Sequence, residues 1–460
     1  MIFLSNITIK KGLRVYLIGI GGISMSGIAQ MLLKDECVVS GSDRAASPLT
    51  DKLTELGIKV YIGHNADNVH DCDLVVYSAA INADNPERVR AQELGIPQID
   101  RAEMLGIIMK GYECPIAVSG THGKTTTSGM LTHIFVECGK NPTVTVGGEL
   151  DIIHGNVHIG SKKYFIAEAC EYHQSFLRFF PKISIITNIE ADHLDYFRDI
   201  DHIIETFRSL ALLTPGDGAV IINGEDKNIH KAIDGIDRRI ITFGIHGDFD
   251  YTIDNLTHDG FNHYTFTVLK HGSPIGDVRL SVPGVHNVYD ALAAYAAADY
   301  LGIPGEDICD SLYHFGGTHR RFETRGIMGG IVVVDDYAHH PTEIKATLCA
   351  AREMKYNNIW CVFQPHTYTR TKTLFDDFVK VLSESGANIV ITDIYAAREV
   401  DTGLVSAQEL AAAIPGAVYK KTFEDAAAFV KEHAKRGDVV ITMGAGNVYK
   451  IGDILLSHNE

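Results

Sequence analysis

The chain has 460 residues, a length that suggests about three domains and allows a large core without disulfide staples. Apolar residues make up 45% and charged residues 22%, an ordinary globular balance. Lys and Arg number 41 against 58 Asp and Glu, a formal net charge of −17 that argues against nonspecific binding to nucleic acid or to an anionic membrane. An anionic small molecule remains open as a ligand, because its site needs only local Lys, Arg and metal. The eight cysteines (Cys37, Cys72, Cys114, Cys138, Cys170, Cys309, Cys349 and Cys361) are dispersed with no C-x-x-C pair, which suggests reduced thiols rather than a zinc site or a disulfide framework. Residues 1–10 start apolar but carry no signal-peptide pattern, and no run approaches the about 18 apolar residues of a membrane span. The expectation is a cytoplasmic chain without membrane insertion.

Residues 1–112 read as a small α/β domain. An apolar run from Arg14 to Ile18 enters Gly19-Ile20-Gly21-Gly22-Ile23-Ser24, then a helical pattern, then a second short strand closed by Ser42 and Asp43. Strand, glycine turn, helix, strand and acid is the order of a nucleotide-binding βαβ unit. Ser24 stands where a third glycine is usual, and a glycine turn made for tight helix–sheet packing is the plain alternative. Leu74 to Tyr77 forms another strand, and Ser78 lies at its carboxyl end, where such sheets bind ligands.

Residues 113–318 open on the stretch that organises the chain. The apolar strand Ile116 to Val118 runs into Gly120-Thr121-His122-Gly123-Lys124-Thr125-Thr126, and a helix follows. Glycines let backbone N–H groups face an anion, the helix N-terminus adds positive potential, Lys124 suits terminal phosphates and Thr125 suits Mg²⁺. Val118 stands where the commoner loop has its first glycine, so the flanking strand and helix carry the reading. Glu168 ends a strong strand and is a candidate second support for the metal. His193 lies in a polar cluster at the next strand end; by itself a histidine there is more often structural than a Mg²⁺ ligand. Asp250 to Val282 alternates like a small antiparallel insertion. His286 and Asn287 precede an Ala-rich helix expected from Asp290 to Leu301, where capping is their plain role.

Residues 319–460 form a third α/β pattern. Arg320 stands near its start, and the strand Ile331 to Val334 ends in Asp335-Asp336-Tyr337-Ala338-His339-His340-Pro341-Thr342-Glu343. Another strand ends in Gln364-Pro365-His366-Thr367 with Arg370 close behind. The fold class is therefore α/β: three tandem domains, the outer two Rossmann-like and the central one a P-loop ATPase-like parallel sheet with a small antiparallel insertion.

Gly19-x-Gly21-Gly22, the loop Gly120 to Thr127, and Asp335 to Glu343 with Phe363-Gln-Pro-His366 together resemble the Mur ligase family. The resemblance covers essentially the whole chain. It implies an ATP-dependent ligase that joins L-alanine to the lactyl carboxylate of UDP-N-acetylmuramate through an acyl phosphate, as a monomer or homodimer, with Mg²⁺ or Mn²⁺. A ligase that recycles a tripeptide onto the same sugar nucleotide is the alternative within the family. His122 is similar to the alanine-adding and recycling members, and the absence of Lys between Lys182 and Lys227 fits members without a carbamylated lysine. By resemblance, Gly19, Gly21, Gly22, Ser24, Ser42, Asp43 and Ser78 would hold the UDP-sugar. Gly120 to Thr126, His286, Asn287, Arg320 and Asp336 would hold ATP. Thr125 would bind a first Mg²⁺, Glu168 would bridge it to a second metal and His193 would bind that second one, while Tyr337, His339 and Arg370 would hold the amino acid. Lys124, Glu168, His193 and His339 would be catalytic, with the base left open between the two histidines. Three positions depart from the family pattern: Cys170 for Asp, Asp290 for Asn and Thr367 for Arg. A dehydrogenase is suggested by the first glycine turn alone and gives Lys124 and Glu168 no role; a silent nucleotide-binding regulator would leave the metal set unused.

Overall fold

The computed structural model describes residues 7–78, 80–194, 196–397 and 399–457. Most of the apolar start, residues 1–6, and Ala79 beside Ser78 lie outside the described residues. Three sheets follow one another along the chain. The first is all parallel, in the order Lys59–Ile62, Val38–Asp43, Arg14–Ile18, Leu74–Tyr77, Gln98–Asp100. Strand order reverses between Arg14–Ile18 and Leu74–Tyr77, so the crevice beyond Ile18 and Tyr77 is this sheet's ligand position.

The central sheet has ten strands. Its parallel middle runs Ile240–Phe243, Ala219–Asn223, Ile183–Ile186, Cys114–Ser119, Tyr164–Glu168, Thr143–Leu150. The middle strands read as continuous apolar runs because helices cover both faces. The expected insertion is three antiparallel strands, Tyr251–His258, His263–Lys270 and Ser273–Pro283, which extend this same sheet through the pairing of Phe243 with Tyr251. At the opposite edge Gly155–His158 pairs antiparallel with Thr143–Leu150. The third sheet is Glu323–Met328, Ile331–Asp336, Val439–Met443, Ile359–Phe363, Asn388–Ile391, Val418–Tyr419, with the chain's last strand between two earlier ones and only Glu323–Met328 antiparallel.

The first two sheets share one apolar cluster, in which Ile108, Met109 and Tyr112 pack with Phe165, Phe176 and Phe179. Gly106 permits this approach: a Cβ there would lie 1.9 Å from the Arg178 carbonyl oxygen. The Ala-rich helix spans Val285–Tyr300, and Ala291 to Ala298 are fully buried against the helix Lys124–Glu137. It begins earlier than expected, because Gly284 (φ 100) turns the chain directly into it. Asn287 is therefore no cap; it sits in the first turn with its amide donating to the Pro283 carbonyl at 2.7 Å. The strand ends Ser119, Glu168 and Ile186 come together at one edge of the central sheet, and the amino end of the helix Pro341–Glu353 meets them from the third domain.

Candidate active site

The strand Cys114–Ser119 delivers the chain into Gly120 (φ 140) and Gly123 (φ 81), conformations that disfavour a side chain. Space also forbids one: a Cβ on Gly120 would lie 2.0 Å from the Thr187 hydroxyl, and one on Gly123 would lie 2.4 Å from Asp290 Oδ1. The next strand end clamps the loop. Asn188 Oδ1 accepts from the His122 N–H at 2.8 Å, its amide donates to the His122 carbonyl at 3.0 Å, and the Glu190 N–H donates to the Thr121 hydroxyl at 2.8 Å.

Lys124 Nζ donates to the Gly120 carbonyl at 2.5 Å, the Thr121 carbonyl at 2.9 Å and the Glu171 carboxylate at 3.0 and 3.2 Å. Burial works against its charge, but Glu171 and its neighbours outweigh that and hold the ammonium above its ordinary range. The Thr125 hydroxyl donates to Glu168 Oε2 at 2.9 Å, and the same oxygen accepts from the Gly147 N–H at 2.7 Å. His193 has a left-handed backbone (φ 53), and its Nε2 stands 3.9 Å from Glu171 Oε1 and 3.7 Å from Asp192 Oδ2. A hydroxyl, two carboxylates and one imidazole make a donor set suited to a hard divalent cation. Cys170 adds no charge, since burial and Glu171 push its thiol up to about 11.

A cavity of about 240 Å³ opens beside the loop, walled by Gly123, Thr126, His286, Asn287, Asp290 and Asp336. Burial lowers His286 to about 4, so its ring is neutral. Burial raises Asp290 to about 7, offset only in part by the Thr127 hydroxyl donating at 3.0 Å. Burial raises Asp336 to about 6, while its oxygens accept from the backbone N–H groups of Phe322 and Ala338 at 2.8 and 2.7 Å. The two adjacent arginines are placed differently. Arg320 is committed to Asp335 at 2.9 Å and to the Gly444 carbonyl at 2.7 Å, whereas Arg321 lines the cavity.

His122 faces the third domain. Its Nδ1 lies 3.3 Å from Glu343 Oε1 and its Nε2 lies 3.4 Å from Glu190 Oε2. Burial would neutralise the ring, but the two carboxylates outweigh it and raise His122 to about 9. The Thr342 hydroxyl donates to Glu190 at 2.9 Å, a second link across the same seam.

A smaller cavity of about 180 Å³ lies between Asp192, His193 and Arg370. Arg370 donates to Asp192 Oδ1 at 3.3 Å and contacts His366 Nδ1 at 3.1 Å. Burial would raise the Asp192 carboxyl, but His193 and Arg370 hold it well below the usual carboxylate range. His339 lies 5.6 Å from His366 and 5.5 Å from Tyr337, ring to ring, and burial lowers it to about 3. Thr367 (φ 65) caps the short helix Tyr368–Thr373 through the Arg370 N–H at 3.4 Å.

In the first domain the Gly21 N–H donates to Asp43 Oδ2 at 2.9 Å, and the Ser24 hydroxyl accepts from Arg101 at 2.9 Å. Gly19 (φ 81) sits against Ser78, and Gly22 starts the helix Ile23–Lys34. Ser42 lies beneath the crevice rather than in it: it is fully buried and its hydroxyl donates to Glu87 Oε2 at 2.6 Å.

The chain matches three family descriptions in order: "Mur ligase family, catalytic domain" over residues 14–113, "Mur ligase middle domain" over 118–298 and "Mur ligase, glutamate ligase domain" over 320–446. A UDP-N-acetylmuramate–L-alanine ligase of Acetivibrio thermocellus is 49% identical over 462 residues, spanning 99% of this chain and 98% of the relative. The chain belongs to the Mur ligase family. The enzyme of the same name from Clostridium tetani is 49% identical over 96% of this chain and 98% of its own length. Among solved structures, the UDP-N-acetylmuramate–alanine ligase of Thermotoga maritima matches with a TM-score of 0.80 at 30% identity, covering 97% of this chain and 98% of its own. A murein peptide ligase from Psychrobacter arcticus gives 0.72 at 25% identity, covering 97% and 98%.

Within this Mur ligase site, sequence reasoning passed over Glu171, Asn188, Arg321 and Glu343. Glu343 carried a readable signal: it follows His340 by three residues with Pro341 between, and it closes a capping box with the His339 and His340 N–H groups at 3.0 and 3.2 Å. Glu171 carried none, because it sits in an irregular turn past the strand Tyr164–Glu168.

Proposed function

We infer that the protein joins L-alanine to the lactyl carboxylate of UDP-N-acetylmuramate with ATP, in peptidoglycan precursor synthesis. One observation carries this reading: the loop bearing Lys124 and the Thr125–Glu168 pair stands beside a cavity of about 180 Å³ whose wall holds Asp192, His193 and Arg370. The size of that cavity suits a single small amino acid. The curated relatives at 47–49% identity are named L-alanine ligases, and among solved structures the alanine ligase matches with a TM-score of 0.80 against 0.72 for the murein peptide ligase, which favours alanine over a recycled tripeptide.

A carboxylate resists amines because oxide is a poor leaving group. An oxygen of the lactyl carboxylate attacks the γ-phosphorus, the bond to ADP breaks, and an acyl phosphate forms. Lys124 neutralises the meeting anions. Thr125, Glu168 and His193 fit Mg²⁺ or Mn²⁺, which when bound supplies further positive charge at the transferring phosphoryl group. The alanine amine then attacks the acyl carbon, phosphate leaves, and the amine loses its proton. His339, held neutral and weakly basic by burial, suits orienting the amine better than taking its proton. Arg370 answers the alanine carboxylate, the more so with Thr367 spent as a cap. Asp336, Asn287, His286 and Arg321 serve the nucleotide. Residues 1–112 would take the UDP-sugar, residues 113–318 ATP, and residues 319–460 would complete the amino-acid end. Among the described residues no helix is long and apolar enough to cross a membrane, and nucleotide substrates suit a cytoplasmic location.

The test is phosphate release from ATP and Mg²⁺ with UDP-N-acetylmuramate, against single amino acids and the tripeptide. Release that needs both the sugar nucleotide and L-alanine, with a product of matching mass, is the expected result. Release only with the tripeptide would make the chain a recycling ligase, and no release despite ATP binding would make it a regulator.

A further inference from the structure

One buried carboxylate at the site has no part in the scheme above. Glu171 is 2% exposed, and Lys124 is its only lysine or arginine partner among the described residues. Both of its oxygens accept from Lys124 Nζ, at 3.0 and 3.2 Å, and the Gly120 and Thr121 carbonyls accept from the same ammonium. Lys124 thus spends its donors on its own loop and on Glu171. Nucleotide phosphates entering the loop compete for that ammonium. Once they win it, Glu171 keeps a buried negative charge that has lost its partner, a costly state unless another cation arrives.

The neighbouring geometry shows where that cation would sit. Glu171 Oε1 stands 3.9 Å from His193 Nε2, a separation that two ligands of one divalent ion span at bonds of about 2.1 Å. Asp192 Oδ2 is as near to His193 Nε2, at 3.7 Å, but that carboxylate keeps Arg370 as its cation through Oδ1 at 3.3 Å, whereas Glu171 loses its cation when Lys124 is drawn away. The backbone is bent to this arrangement as well. His173 and Gln174, just past Glu171, are successive non-glycine residues with left-handed backbone (φ 53 and 54), and His193 itself has φ 53. The Tyr172 ring lies 4.5 Å from the His193 ring and links the two turns.

We propose that Glu171 is a positioning residue that exchanges partners: it holds Lys124 while the loop is empty and, when nucleotide draws Lys124 away, binds with His193 the second divalent cation of the site. This rests on the ATP-dependent reading above. It gives the empty enzyme a loop whose cation is held in place, and it couples arrival of the nucleotide to completion of the metal site.

Two measurements on the full chain test it, neither of them turnover. Equilibrium binding of a non-hydrolysable ATP analogue in EDTA reads the hold on Lys124. Glu171→Gln, which keeps the shape and removes the charge, is expected to tighten this metal-free binding by about tenfold, since the analogue no longer competes with a carboxylate. Electron paramagnetic resonance titration of Mn²⁺ into the protein–analogue complex reads the second role. The wild type is expected to hold two ions, with the weaker one lost in Glu171→Gln and retained at lower affinity in Glu171→Asp. Metal-free binding that Glu171→Gln leaves unchanged, or a Mn²⁺ titration unaffected by either variant, would overturn the proposal. Thermal melting identifies a variant that fails to fold, and Glu171→Asp, which keeps the charge, then carries both measurements. Failure here is separate from failure of the ligase reading, because wild-type phosphate release with L-alanine does not depend on which carboxylate holds Lys124.

Discussion

The chain contains two glycine turns that leave a parallel strand and enter a helix, and they are built for different work. At Gly120 to Gly123 the turn carries a charged His122 and leads into Lys124; Glu171 holds Lys124, Glu190 and Glu343 hold His122, and Glu168 takes the Thr125 hydroxyl. At Gly19 to Gly22 the turn carries no cation of its own; the Gly21 N–H is met by the Asp43 carboxylate. Beneath that second turn lies Glu87, 0% exposed, which accepts from Tyr16, Ser42 and Asn68 at 2.8, 2.6 and 2.9 Å and pairs with His64 Nδ1 at 2.9 Å. Glycine spacing therefore reports the path of the backbone. What the turn binds is decided by the charges that neighbouring strand ends bring to it.

The sharpest way to separate the two turns is Lys124→Ala. Phosphate release is expected to fall by about a thousandfold or more, because one preorganised cation at the transferring phosphate is lost. UDP-sugar binding, measured by calorimetry, should remain nearly intact, and equal loss of both in a folded variant would refute the division of labour. The converse is Glu87→Ala. It strands the buried hydroxyl of Ser42, the Tyr16 phenol and the Asn68 amide, and is expected to cost about 3 kcal/mol of stability. Thermal denaturation should show that loss together with weaker UDP-sugar binding, while ATP-analogue affinity in the surviving folded protein stays the same.

The same contrast governs what could be read in advance. Lys124, Thr125, Glu168 and His193 stood at strand ends or in a recognisable loop, and the structure brings Thr125 to Glu168 and sets His193 near Glu171. The strand runs were legible because buried parallel strands are unbroken apolar segments. Arg320 and Arg321 were not separable, because the choice depends on a left-handed backbone (φ 63) at Arg320 and on Asp335 capturing its guanidinium. Glu87 was hidden because its partners are scattered from Tyr16 to Asn68, and Glu171 because it lies in a turn with no periodicity. The early start of the helix Val285–Tyr300 turned on one glycine conformation. Strand tips follow from local pattern; the partners of a buried charge depend on tertiary distance.

His122 shows how the charged turn reaches across to the third domain. The ring is raised to about 9 in the folded protein, above its ordinary value near 6.5. Its ion pairs with Glu190 and Glu343 are thus in full force below about 6.5, are retained at neutral pH, and fade as pH rises through about 9. Docking of the third domain should loosen over that last interval, by about 2 kcal/mol. Small-angle scattering against pH would show the change, and Glu343→Gln should flatten the alkaline part of the profile while leaving the first domain's UDP-sugar affinity unmoved.

The smallest effect concerns a charge beside the turn that is only partly present at neutral pH. Asp290 stands against Gly123 on the nucleotide cavity wall, where a Cβ added to the glycine would lie 2.4 Å from its Oδ1, and the Thr127 hydroxyl donates to it at 3.0 Å. Burial raises its carboxyl from 3.8 to about 7, so it is mostly neutral at pH 6 and mostly ionised at pH 8. A neutral carboxyl presents one donor and one acceptor, much as an amide does; an ionised one adds a negative charge beside an anionic ligand. Affinity for an ATP analogue should therefore fall between pH 6 and pH 8 by up to about tenfold, the limit set when the ionised form excludes the nucleotide. Asp290→Asn removes the titrating proton and keeps the shape, so its affinity should match the wild type at pH 6 and exceed it at pH 8. Lys124 stays charged across that range and cannot produce the slope. A variant whose pH profile is parallel to the wild type would assign the slope to another group, and His122 titrates too high to be that group below pH 8.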